Sequence, residues 1–145
     1  MRLHDRVFLL LGGTGGIGKA LLDALARAGS HVIVASRHPE RVGHREKVSP
    51  VCLDLAAADL DQQLVRLSDA YPDIDSVIHC AGQNRFSGLA NMSVAELDAQ
   101  LGVNLRSAML VARHFAPKFE KAGSGALVFV GSTFGSIGFP GYTAY

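Results

Sequence analysis

The sequence predicts an α/β protein built on a parallel sheet covered by helices on both faces, and three observations carry that expectation. Short apolar runs without polar alternation recur along the chain, as strands buried on both faces require. Helical patterns of about a dozen residues separate them, the length that right-handed crossovers need. The first run breaks into five glycines between Gly12 and Gly18, so the chain turns tightly there before a helix begins.

Arg6 to Leu11 is the first strand. Ile17, Ala20, Leu21, Ala24, Leu25 and Ala28 then recur at helical spacing, and Gly29 ends the pattern as a carboxyl-terminal cap. His31 to Ala35 is the second strand. Val48 to Leu53 is the third, with Pro50 tolerable near its start. Leu60 to Ala70 reads as a helix and Ser76 to Cys80 as a fourth strand closed by Ala81-Gly82. Ser93-Val94-Ala95-Glu96 is a capping box, in which serine and glutamate each satisfy one free N–H of a helix start. Leu97, Leu101, Leu105, Ala108, Met109, Ala112 and Phe115 form one apolar face of the long helix that follows, which ends near Lys118 to Gly123. Ala126 to Val130 is the fifth strand. The expected order is 3-2-1-4-5, with ligands beyond the carboxyl ends of the strands, near the switch between strands 1 and 4.

Composition sets bounds on function. The 145 residues are enough for one domain that buries roughly 68–70% of its unfolded surface. A formal charge of +1, with no basic cluster, lacks the footprint of a nucleic-acid binder. The start, Met1 to Arg6, leads into only five apolar residues, Val7 to Leu11, too few for a signal core or a membrane span. Cys52 and Cys80 make neither a disulfide framework nor a zinc site, and both read as small buried core residues. The six histidines show no metal-ligand spacing. A cytoplasmic protein without a metal is expected.

The glycine loop carries the chemistry. Gly13, Gly15 and Gly18 fit G-x-G-x-x-G, and Gly12, Gly16 and Gly18 fit G-x-x-x-G-x-G. Glycine is required where the turn is tight, where backbone approaches a pyrophosphate and where the helix packs close to the sheet. Gly13 to Lys19 also approaches a P-loop, with Asp54 as an acidic partner, but Ala20 stands where a magnesium-binding hydroxyl belongs. At the end of strand 2 stand Ser36 and Arg37, with no carboxylate before Glu40. An arginine beside a ribose 2′-phosphate gains on the order of 4 kcal/mol at an effective dielectric of 20, before desolvation. NADP(H) is therefore expected over NAD(H), unless Arg37 is only a solvated loop residue.

Along nearly its whole length the chain resembles the short-chain dehydrogenase/reductase family. Leu11 to Gly18 is similar to that family's glycine motif, in which Gly12, Thr14, Gly15, Gly16, Ile17 and Gly18 would hold the cofactor, with Leu11 in place of the usual threonine. Asp54 and Leu55 fall where the family contacts adenine, and His79-Cys80-Ala81-Gly82 resembles its Asn-Asn-Ala-Gly segment, with Cys80, Ala81 and Gly82 beside the cofactor. Asn104 matches the helix asparagine, and Ser132 and Tyr145 stand thirteen positions apart, as in the family. The implied fold is a Rossmann-type doubly wound sheet, and residues 1–145 read as its NAD(P)-binding domain. The resemblance also implies a lysine four positions after Tyr145, so the chain is expected to continue beyond it, with further strands.

What the resemblance implies chemically is hydride transfer between nicotinamide and a small-molecule carbonyl or alcohol. Tyr145 would act as acid or base, Ser132 would orient the carbonyl, and Asn104 would help to order a proton relay. A free phenol titrates near 10, so nearby cations are needed. Taken alone, Ser132 reads as a turn residue, Tyr145 as packing and Asn104 as an exposed helix position. The competing function is a catalytically inactive nucleotide-binding module serving as a sensor or partner subunit. Homo-oligomerisation through the long helix follows from the resemblance, and the polar stretch from Gln83 to Ser87 is expected to border the substrate mouth. Strand 5 is expected to present an apolar edge unless further chain or a partner covers it.

Overall fold

The structure, a computed structural model, describes residues 3–142, 144 and 145; Met1 and Arg2 of the amino-terminal lead lie outside the described residues. Nine principal elements follow in order: β1 (Val7–Leu11), α1 (Gly16–Arg27), β2 (His31–Ser36), β3 (Val48–Cys52), α2 (Leu60–Ala70), β4 (Ser76–His79), α3 (Val94–Leu101), α4 (Ser107–Ala122) and β5 (Ala126–Phe129). All strand pairs are parallel and the sheet order is β3-β2-β1-β4-β5, as the alternation of strands and helices predicts. The register aligns Leu11 with both Ala35 and His79, and Ser36 with Cys52. Consequently Gly12, Arg37, Leu53 and Cys80 leave the sheet along one edge.

The central strands β1, β2 and β4 are buried on both faces. Leu9, Leu11, Ile33 and Val77 pack with Leu60 and Leu64 of α2 and Val111 and Phe115 of α4. Phe8, Leu10, Val32, Val34 and Ile78 pack on the other side with Leu22 and Leu25 of α1. Successive strand residues point to opposite faces, so double burial needs apolar residues at consecutive positions. Each such side chain stabilises the fold by about 1.5–3 kcal/mol.

Three expectations are corrected. Helix α1 buries Gly18, Leu22 and Leu25, whereas Ile17 is 61% exposed and Ala20 and Ala24 are exposed. A side chain on Gly18 would collide with the Gly12 carbonyl oxygen, so this close approach sets the rotation of the helix. The long helix is interrupted by a π-helical turn, Gly102–Arg106, between α3 and α4. Its buried stripe is Gln100, Ser107, Val111 and Phe115, while Leu101, Leu105 and Met109 face outward. Finally, Cys52 is exposed and Cys80 is only half-buried. Cys52 ends an edge strand, where Val51 and Leu53 on either side of it face α2.

The remaining ends follow their local chemistry. Ser93 accepts from the Glu96 N–H while the Glu96 carboxylate accepts from the Ser93 N–H, so the capping box forms. Gly123, in the left-handed region, closes α4. Pro50 has a neighbour on one side only, at Val34, so its missing N–H breaks no ladder within the sheet. In β5, Val128 and Phe129 are exposed. No helix among the described residues is long and apolar enough to cross a membrane.

Candidate active site

A cleft of about 290 Å³ opens at the carboxyl edge of the sheet, where β1, β2, β3 and β4 end together. Of the residues expected from the sequence, Gly12, Thr14, Gly15, Ser36, Arg37, Asp54, Leu55, Cys80, Ala81 and Gly82 line it. Ala35, Leu53, Gln83 and Val103 line it as well. Ala35 is the last but one residue of β2 and Leu53 the first after β3, and Gln83 simply follows Gly82. Val103 comes from the π turn, for which the sequence offers no local signal. Gly16, Ile17 and Gly18 stand in the first turn of α1, outside the lining.

The glycine loop fits a pyrophosphate. Helix α1 starts at an N-cap, Gly15, that has no side-chain cap, and its first turn carries no acidic residue. A side chain at Gly16 would meet nothing within 4 Å, and one at Gly15 only the Gly12 oxygen at 3.6 Å. The space before the helix start is thus open, and its N–H groups and dipole favour an anion. The Thr14 and Ser36 hydroxyls meet at 3.3 Å, and Ser36 Oγ accepts from the His38 N–H at 3.1 Å. These contacts fix the loop against the end of β2, where Arg37 begins the rim. Among the described residues no carboxylate pairs with Arg37, since Glu40 lies 3.3 Å from His38. Asp54 accepts from the Ala56 N–H at 3.0 Å and closes the turn after β3.

The opposite wall is held by polar contacts behind it. His79 Nε2 lies 2.8 Å from Ser107 Oγ, and the Ser107 hydroxyl donates to the Val103 carbonyl. With that proton committed, Nε2 must carry the ring hydrogen and donate. Burial pushes the His79 imidazole below its ordinary pKa, so the neutral ring is favoured. The Cys80 thiol donates to the Leu11 carbonyl at 3.0 Å, and burial pushes its pKa up. Asn104, in the π turn, meets the main chain of Gln83 at both ends of its amide: Oδ1 accepts from the N–H and Nδ2 donates to the carbonyl, each at 2.7 Å. The exposed-position reading of Asn104 is thereby replaced by a clamp on the cleft wall.

Ser132 and Tyr145 stand outside the lining, on the loop that follows β5. Ser132 caps a single 3₁₀ turn, Thr133–Gly135, by accepting from the Phe134 N–H at 3.2 Å. The Tyr145 N–H donates to the Tyr142 carbonyl at 3.1 Å, and its ring meets those of Phe134 and Tyr142 edge-on at 6.4 and 6.5 Å. Phe139 stacks on Phe134 at 5.3 Å. Aromatic packing therefore shapes this loop.

The family model described as short chain dehydrogenase matches residues 6–145. The chain belongs to that family. The 3-oxoacyl-[acyl-carrier-protein] reductase of Thermotoga maritima is 32% identical over 154 aligned positions, covering 100% of this chain and 63% of that protein. A metagenomic short-chain oxidoreductase solved in complex with NADP is 26% identical and superposes with a TM-score of 0.89, over 100% of this chain and 70% of that one. A 4-hydroxyisoleucine dehydrogenase complexed with NADH, at 21% identity, shares the fold with a TM-score of 0.88, over 97% of this chain and 62% of its own. The chain thus spans less than two thirds of the length of curated family relatives such as the Thermotoga reductase.

Proposed function

We propose that the protein is an NADP(H)-dependent oxidoreductase acting on a small-molecule carbonyl or the corresponding alcohol. The observation that carries this reading is the cleft itself, which combines open glycine backbone at a helix start with Arg37, and not a carboxylate, at the end of β2. Residues 1–145 are read as one nucleotide-binding domain. In it Gly12, Thr14, Gly15, Gly16, Ile17 and Gly18 hold the pyrophosphate at the start of α1, Ser36 and Arg37 the ribose phosphate, Asp54 and Leu55 the adenine, and Cys80, Ala81 and Gly82 the nicotinamide half. When bound, the nicotinamide supplies or accepts the hydride.

The chain's own residues handle the proton. Tyr145 gives its phenolic hydrogen to the substrate oxygen during reduction and takes it back during oxidation; a phenol does this near neutrality only beside a cation. The Ser132 oxygen already accepts from the Phe134 N–H, which leaves its own hydrogen to donate to the carbonyl. Asn104 acts through Gln83, holding the wall beside Gly82. A reducing, cytoplasmic setting suits the free thiols of Cys52 and Cys80, and the outward apolar face of α3 and α4 suits a homo-oligomer.

Fluorescence titration of the full-length protein with NADPH and NADH tests the binding half, with tighter NADPH expected. Tyr145→Phe should then lower turnover by about 10²–10⁴-fold while NADPH affinity stays within about twofold. Turnover retained by this variant would remove Tyr145 from the acid–base role.

A further inference from the structure

Apolar periodicity along α3 places Leu101 inside, yet the residue that is wholly buried is its neighbour Gln100, while Leu101 is exposed. Methionine would fill the same space without a polar atom to satisfy, so a buried amide is explained only by what it bonds. Gln100 Oε1 accepts from the Arg85 N–H at 3.1 Å, and Nε2 has no partner among the described residues. Asn104 holds Gln83 in the same way. The two amides lie four positions apart, on either side of the start of the π turn, and the main-chain groups they hold lie two positions apart. Amides at positions 100 and 104 thus hold main-chain groups at 85 and 83 in succession. The other link between α3 and this stretch, Arg85 to Glu96 at 3.6 Å, is exposed and contributes little.

The clamped stretch leads directly to the loop bearing Ser132 and Tyr145. The Phe86 ring lies against Gly141, so closely that any side chain at position 141 would collide with it, and meets the Tyr142 ring edge-on at 5.4 Å. The Ser87 N–H donates to the Gly141 carbonyl at 2.9 Å. Tyr142 in turn accepts from the Tyr145 N–H. A continuous path thus runs from Gln100 through Arg85, Phe86 and Gly141 to the backbone of Tyr145.

We infer that Gln100 is a positioning residue, whose hold on Arg85 fixes residues 83–87 as a strap that sets Gly141 and Tyr142 and, through them, the backbone of Tyr145. The inference rests on the catalytic reading of Tyr145 given above, but its first readout does not. In the full-length protein, Gln100→Met removes the acceptor at nearly constant volume. Amide hydrogen exchange at Arg85 and Ser87 should quicken about tenfold, with Gln83, still held by Asn104, changing less than about twofold. In turnover, kcat should fall about tenfold while nucleotide affinity stays within about twofold. Phe86→Ala should lower kcat similarly, and the double variant should lose no more than the worse single variant, because both act through one path. Unchanged exchange at Arg85, or additive losses in the double variant, would overturn the inference. Quickened exchange together with loss of nucleotide binding would also overturn it, by assigning Gln100 to general packing. Failure to bind either nucleotide would instead sink the oxidoreductase reading and leave the exchange result to judge the strap.

Discussion

On the proposed reading, the choice of cofactor comes down to the Arg37 guanidinium. Its place is set by neighbours, since Thr14 and the His38 N–H both engage Ser36 immediately before it. Nothing acidic among the described residues competes for it, because Glu40 is turned to His38. A planar donor with fixed geometry suits a phosphate, and replacing it by a carboxylate exchanges attraction for repulsion. Arg37→Asp is expected to weaken NADPH binding by about tenfold and to strengthen NADH binding through the ribose 2′-hydroxyl. Titration with both nucleotides checks it. An unchanged ratio would mean that Arg37 does not reach the 2′-phosphate. This residue was legible in the sequence because strand ends are legible, and the cleft lies where strands end.

Elements rather than single residues decide how β4 meets the long helix. The donor chain from His79 through Ser107 to the Val103 carbonyl ties the π turn to the strand, and Asn104 in that turn then reaches Gln83. Burial holds the His79 imidazole below its ordinary 6.5, so as pH falls below 6.5 the unfolded chain binds a proton that the folded chain resists. Stability is accordingly full above 6.5 and is lost as pH falls through the window down to the folded value. His114, lowered by burial and by Lys118, contributes in the same direction. His79→Gln should flatten the decline of Tm between pH 7 and 5 without abolishing it. An identical decline would place the acid sensitivity elsewhere. Little of this is legible in the sequence. Hydrophobic periodicity assumes a constant 3.6-residue turn and apolar burial, whereas this helix carries an inserted turn and buries Gln100 and Ser107. The rotation of α1 escapes hydrophobic periodicity for a related reason, because Gly18, which makes the closest approach, has no hydrophobic side chain to count. The strands, by contrast, are legible nearly to the residue, since burial of β1, β2 and β4 on both faces leaves a signal at every position and helical patterns bound β3 and β5.

For the whole molecule, the same rotation that turns Gln100 inward turns Leu101, Leu105 and Met109 outward, with Leu105 54% and Met109 64% exposed. They line a groove of about 780 Å³ with Asp98 near one end and Arg113 near the other. Arg106 also lines the groove, with its guanidinium turned to the Ala57 and Ala58 carbonyls, and Arg113 is paired with Asp61; an apolar stripe between Asp98 and Arg113 would be complementary to itself if two copies met antiparallel, as a two-fold interface requires. Burial of Leu105 at the centre would contribute about 1.5–3 kcal/mol per copy, and a carboxylate there would be desolvated against its own symmetry mate. Leu105→Glu is therefore expected to shift the full-length protein toward monomer in sedimentation equilibrium at micromolar concentration. Nucleotide affinity should hold within about twofold, because the groove is lined by α3, the π turn and α4 and shares no lining residue with the cleft. A single-copy mass for the unsubstituted protein, or an assembly that Leu105→Glu leaves intact, would show that this face does not join copies of the chain.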